Sequence, residues 1–182
     1  MHKFVRGIFF RINFFLLILF VSGHAYSLPL VLPENFHPVA PGIFRSAQPD
    51  ELMMNNLTSI GFKSVLNLRQ WHDDTDETKN TYLELGRVPM DAANITDEKI
   101  IEALKFIKNA NKPVLIHCWH GSDRTGVVVA MYRLVFEGVS KEEVIKELKI
   151  PEYGYHKIIY ANIERYLDEV DVEQIKKAVF SD

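Results

Sequence analysis

Between His117 and Gly126 the chain reads HCWHGSDRTG, and this segment contains its single cysteine, Cys118, with five residues separating it from Arg124. Just upstream, Pro113 to His117 (PVLIH) has the short apolar character of a buried strand, and VVVAMYRLVF just downstream is apolar almost all round, as a buried helix would be. A loop running from such a strand into a helix N-terminus turns backbone N–H groups inward and adds the positive end of the helix dipole, which makes an anion site suited to a phosphate dianion. The same field favours the thiolate form of Cys118, and a thiolate can attack phosphorus where a thiol cannot. The planar fork of Arg124 can hold two phosphoryl oxygens, in the ground state and as charge redistributes during transfer. An inert buried cysteine would not require an arginine six positions later at a helix entrance.

His117, Cys118, Gly121, Arg124, Thr125 and Gly126 resemble the HCxxGxxRTG signature of the protein tyrosine and dual-specificity phosphatase superfamily. FRSAQP at Phe44 to Pro49, VLNLR at Val65 to Arg69 and TDEKIIEAL ahead of KPVLIHC extend the likeness to its compact bacterial dual-specificity branch, over about Ile43 to Leu167. The resemblance implies that Cys118 forms a phosphocysteine intermediate, that Arg124 binds phosphate and that Thr125 assists hydrolysis. Trp119, His120, Gly121, Ser122, Asp123 and Arg124 would surround the phosphate, and His117 would orient the nucleophile through the loop backbone. Neither metal nor cofactor is expected. The substrate would be a phosphoprotein, a phosphoinositide or a small phosphate ester.

Release of an alkoxide or phenolate calls for a proton donor, usually an aspartic acid on a movable loop in this family. Asp91 is the first choice, because it follows the end of an expected strand and precedes the TDEK helix. Asp123, Asp97, Asp73 and Asp74 are the alternatives. Asp97 is already explained as an acid in a helix's first turn, Asp73 and Asp74 are expected to be solvated loop charges, and Asp123 would either orient Arg124 or face the substrate rim. Lipid- and inositol-directed relatives often carry lysines at the variable loop positions, whereas this loop offers His120 and adds the anion Asp123. Phosphoinositide or inositol-phosphate hydrolysis therefore stays an alternative to phosphoprotein hydrolysis. A rhodanese-type sulfurtransferase and a catalytically inactive phosphoprotein-binding module fit less well, since neither requires Cys118 and Arg124 at this spacing followed by Thr-Gly. Tyr153, Tyr155 and His156 are read as a turn at Gly154 entering a helix, rather than as a cluster overhanging the site.

The elements that must position these residues follow from pattern. Ile43 to Ser46 and Phe62 to Leu68 read as strands, and Arg87 to Met90 as a third short strand. Helices are expected at Pro49 to Ile60, from the cap Thr96 to about Asn109, after Gly126, from the cap Ser140 to about Leu148, at Tyr155 to Val170 and at Val172 to Phe180. Arg69 to Lys79 is acid-rich and reads as a surface loop. Strands alternating with helices, then helices alone, predict an α/β fold with a small central, mainly parallel sheet flanked by helices, and the resemblance implies that it is of dual-specificity phosphatase type.

At the N-terminus, Lys3, Arg6 and Arg11 precede an apolar run from Ile12 to Val21 and then small residues, the layout of a signal peptide over residues 1–27. Ala25 and Ser27 occupy the small-residue positions of a cleavage site after Ser27, with cleavage after Ala25 as the alternative. An extended, proline-bearing lead-in or surface strand would occupy residues 28–42, and the phosphatase domain residues 43–182. Export to a periplasmic or extracellular space is expected, an N-terminal membrane anchor being the alternative; Arg11 interrupts the apolar run that a comfortable span would need. Loss of the three basic leader residues takes the formal charge from −3 to −6. With no basic stretch left to neutralise a phosphate backbone, a nucleic-acid partner is not expected.

Overall fold

In a computed structural model, which describes residues 30–181, five strands form one sheet in the order β1-β2-β5-β3-β4. The strands are β1 (His37–Ala40), β2 (Ile43–Ser46), β3 (Ser64–Asn67), β4 (Glu84–Arg87) and β5 (Val114–His117). Only the edge strand β1 is antiparallel to its neighbour, and the other four run parallel. Both faces of the central strand β5 are covered, so it can be apolar throughout: Val114 and Ile116 enter the larger core while Leu115 enters the smaller one. The larger core packs against α3 (Asp97–Asn109), α4 (Asp123–Tyr132), α5 (Lys141–Leu148), α6 (Ala161–Glu169) and α7 (Val172–Phe180). The smaller one gathers Met54 and Leu57 of α1 (Glu51–Ser59) with Phe62, Val65 and Leu83.

Caps explain the helix boundaries. Asp50 accepts from Met53 N–H at the start of α1, and Thr96 accepts from Lys99 N–H at the start of α3. Ser140 and Glu143 form a reciprocal capping box on α5.

Four expectations change. The third strand is Glu84–Arg87, not Arg87 to Met90; beyond Arg87 the chain leaves the sheet and sinks Val88 and Met90 into the core. Within the acidic segment, Thr75–Thr78 form a single helical turn, α2. The helix after the HCWHGSDRTG loop already begins at Asp123, so Arg124, Thr125 and Gly126 form its first turn. Tyr155 to Tyr160 is not helical: α6 starts only at Ala161, because the preceding residues are drawn into turns by Lys157 N–H to the Tyr155 carbonyl and Tyr160 N–H to the His156 carbonyl. The left-handed turn at Gly154 is present (φ 68°). The extended segment before Ile43 pairs as β1, and its Phe36 stacks on Phe44. The expected leader lies outside the described residues. No helix among those described is long and apolar enough to cross a membrane.

Candidate active site

Parallel strands end together. The C-terminal ends of β2, β3, β4 and β5 lead into Ser46 to Gln48, Arg69 to Asp74, Val88 to Asp91 and Cys118 to Ser122, so one edge of the sheet gathers these four segments. Cys118 is 2% exposed and follows β5 directly. The loop then turns at Gly121, where φ is +73° and an added Cβ would stand 2.5 Å from the Ser46 carbonyl, so both conformation and space require glycine. α4 opens at the loop's far end and aims its positive terminus at the same point.

Three guanidinium groups converge on this edge. Arg124 lines a cavity of about 200 Å³ together with Trp119, His120, Asp123, His156, Ile159 and Tyr160. Its Nε and the Thr125 hydroxyl are buried without a hydrogen-bond partner among the described residues, and Arg124 has no ion-pair partner there. Arg45 is buried, stacks on the Tyr153 ring at 4.2 Å and donates to the Gly121 carbonyl at 2.7 Å. Burial lowers its pKa, while the nearby Cys118 and Tyr153 act in the opposite direction. Arg69 lies over the Trp119 ring at 4.1 Å and donates to Gln48 Oε1 at 3.0 Å. Burial, followed by repulsion from Arg124, lowers its pKa.

The structure brings together Cys118, Trp119, His120, Gly121, Ser122, Asp123, Arg124 and Thr125, and buries His117 behind them. Ser122 is buried, and its hydroxyl reaches the His120 carbonyl at 3.4 Å. Asp123 spends both carboxylate oxygens on one residue: His156 N–H donates to Oδ1 at 3.0 Å and His156 Nδ1 lies 2.9 Å from Oδ2. Asp123 therefore orients the opposite wall, not Arg124. His156, Ile159 and Tyr160 do overhang the cavity, contrary to the plain turn expected from sequence.

The other aspartates separate. Asp91 is exposed between buried Met90 and Ala92, in a loop fastened by Asn162 Nδ2 to the Ala92 carbonyl, and its carboxylate accepts from Ala93 N–H at 2.9 Å. It does not line the 200 Å³ cavity. Asp97 accepts from the Tyr166 hydroxyl at 2.8 Å, joining α3 to α6; burial and this bond push the Tyr166 pKa up. Asp73 is exposed and accepts from Thr75 N–H. Asp74 is not a solvated charge: it is 4% exposed and lies 2.8 Å from His117 Nε2.

In the sequence Arg45 and Arg69 stand out only by their place in the resembling segments. A signal existed at Arg45: strand alternation puts it on the same side of β2 as the core residue Ile43, an unlikely place for an unused charge.

The tyrosine phosphatase family model matches residues 30–178, most of the chain. The chain belongs to that family. A dual specificity protein phosphatase, TpbA of Pseudomonas aeruginosa (strain UCBPP-PA14), is 29% identical over 122 residues, covering 66% of this chain and 56% of that protein. Inositol diphosphatase DSP2 of Oryza sativa subsp. japonica is 38% identical over 113 residues, 57% of this chain and 55% of that protein. The chain thus spans about half the length of these two relatives. The crystal structure of a cysteine-to-serine variant of P. aeruginosa TpbA in complex with phosphotyrosine superposes with a TM-score of 0.73 at 25% identity, over 81% of this chain and 91% of that one. The catalytic core of the Saccharomyces cerevisiae phosphatase SIW14, with citrate, gives 0.72 at 27% identity, over 82% and 93%. This tyrosine phosphatase family member shares their fold: a five-stranded, mainly parallel sheet flanked by helices.

Proposed function

We propose that this chain is an exported phosphomonoester hydrolase that works through a phosphocysteine intermediate and takes aryl phosphates such as phosphotyrosine. One observation carries the reading: a buried thiol shares a strand-to-helix loop with an arginine and a threonine whose Nε and hydroxyl have no partner among the described residues. Buried polar groups are normally paired, and a phosphate held in the loop would offer these two an acceptor oxygen.

In the first step the Cys118 thiolate attacks phosphorus; the S–P bond forms, the ester P–O bond breaks, and Asp91 gives its proton to the departing oxygen. Arg124 and the loop N–H groups hold the equatorial oxygens as charge shifts. In the second step water attacks phosphorus, the S–P bond breaks with its electron pair returning to Cys118, Asp91 takes the water's proton, and the Thr125 hydroxyl assists. Inorganic phosphate leaves.

An aryl group suits the walls, since Trp119, His156, Ile159 and Tyr160 surround the Arg124 cavity. The phosphotyrosine complex of TpbA supports the same substrate class. The name of the rice relative favours a second reading, an inositol diphosphatase. Against it, the Trp119-to-Asp123 stretch holds one histidine and one aspartate and no lysine or arginine. Export rests on the basic, apolar and small-residue layout of residues 1–27, and N-terminal sequencing of protein recovered outside the cytoplasm should begin near Leu28.

The test is a panel of 4-nitrophenyl phosphate, phenyl phosphate, phosphotyrosine peptides and inositol pyrophosphates, without added metal and under reducing conditions. Hydrolysis of the aryl esters is expected; turnover of inositol pyrophosphates alone would favour the second reading. Asp91→Asn should slow phenyl phosphate by about 100-fold and 4-nitrophenyl phosphate far less. Equal losses on both would remove Asp91 as the acid.

A further inference from the structure

Neither buried acid takes part in the two hydrolysis steps: Asp123 is tied to His156, which leaves Asp74. Asp74 sits 43 residues before His117 in sequence, yet its Oδ2 lies 2.8 Å from His117 Nε2. Its Oδ1 accepts from Gln48 Nε2 at 2.9 Å and from Asn67 Nδ2 at 3.0 Å, so the segment after β2 and the last residue of β3 both brace it. On the other side of the ring, His117 Nδ1 lies 3.3 Å from the Cys118 carbonyl oxygen. Carboxylate and carbonyl are both acceptors. For both contacts to be hydrogen bonds, each ring nitrogen must carry a proton.

We propose that Asp74 is a positioning residue for the nucleophile: its carboxylate holds His117 as an imidazolium whose Nδ1–H is aimed at the Cys118 carbonyl, pinning the start of the phosphate loop and turning the positive end of a buried ion pair toward the thiolate. The proposal rests on Cys118 being the nucleophile.

The surroundings allow it. Burial alone would raise the Asp74 pKa, but the His117 hydrogen bond, the charge on that ring and the Gln48 hydrogen bond outweigh burial and bring it below the usual carboxylate value, so Asp74 is ionised at neutral pH. His72 Nε2 stands 3.8 Å from Asp74 Oδ1, but its nearer partner is Glu77 Oε1 at 2.9 Å. Arg69 adds attraction for both Asp74 and Cys118. Arg45 adds attraction for Cys118, and Arg124 shares its loop. Against this fixed positive background, the His117 charge is the part that depends on Asp74.

Cys118 alkylation by iodoacetamide, followed against pH on the full chain, reads the thiolate without any phosphate ester. Asp74→Asn keeps the size of the side chain and removes its charge. It should move the midpoint of the alkylation profile up by about one pH unit, which slows alkylation roughly tenfold on the acid side. A purely structural role would lower thermal stability and leave that midpoint in place, so a folded variant whose profile superimposes on the parent overturns the proposal. Should the variant fail to fold, nitrogen-15 NMR of the His117 ring in the unsubstituted protein decides: protons on both nitrogens at neutral pH are expected, and an unprotonated Nδ1 overturns the pairing. A protein that passes these tests yet hydrolyses no aryl phosphate would keep the Asp74 assignment and lose the proposed substrate.

Discussion

His117 and Thr125, which bracket the phosphate loop, are wholly buried, whereas Trp119 is 53% exposed and Ile158 and Ile159, on the facing wall, are 90% and 69% exposed. Each end of the floor is tied to a different element. Arg45 holds the Gly121 carbonyl from β2, Asp74 holds His117 from the segment after β3, and Gln48 N–H donates to the Trp119 carbonyl at 3.0 Å. The rim has few ties: the Asp123–His156 pair fastens the Tyr155-to-Tyr160 segment, and Arg69 supports Trp119. Floor geometry has to be right to a fraction of an ångström for phosphoryl transfer, so rigidity is placed there. The rim only has to fit a leaving group, and there the chain places large side chains against solvent.

If that division is correct, changes in the floor should abolish turnover of every substrate and changes in the rim should alter the choice among substrates. Arg124→Lys, which keeps the charge and loses the fork, should lower kcat/KM by about 1,000-fold on all aryl phosphates, measured by initial rates. Gly121→Ala combines a positive φ with a Cβ 2.5 Å from Ser46 backbone, so thermal or denaturant unfolding should show a loss of about 1–3 kcal/mol, together with most of the activity.

These floor residues were legible because their chemistry is local: the Cys118-to-Arg124 spacing, the apolar run of β5 and the glycine all lie within fourteen consecutive residues, Val114 to Val127. Asp74 was illegible for the opposite reason. Its partner comes from a different strand, and its own neighbours Asp73, Asp76 and Glu77 look like ordinary solvated acids. The third strand slipped by three residues because Glu84-Leu85-Gly86 lies at the sheet edge with Leu85 half exposed, while the apolar residues that suggested a strand, Val88 and Met90, are buried beyond it. Tyr155, Ile158 and Ile159 imitate a helical stripe, but they are rim residues, held by a tertiary tie to Asp123 that periodicity cannot register.

A smaller effect is expected at that tie. His156→Ala should raise KM for phosphotyrosine peptides by roughly tenfold, with kcat on 4-nitrophenyl phosphate changing less, because it frees the wall carrying Ile159 and Tyr160 without touching Arg124. Equal effects on both substrates would erase the distinction between rim and floor. The smallest effect concerns acid stability. The Asp74 pKa is held below its unfolded value of 3.8, so the stabilisation is fully present above that pH and is lost as pH falls through the lower folded value. Unfolding midpoints should therefore decline on acidification, and Asp74→Asn should flatten that part of the decline.

The covalent step is the most direct test of the floor. Full-length protein mixed with excess 4-nitrophenyl phosphate, quenched in acid within a turnover and measured by mass spectrometry, should carry one phosphoryl group on Cys118, and Cys118→Ser should carry no thiol-bound phosphate and release no 4-nitrophenol above background. Steady hydrolysis by Cys118→Ser at the parent's rate would contradict the mechanism at its first bond.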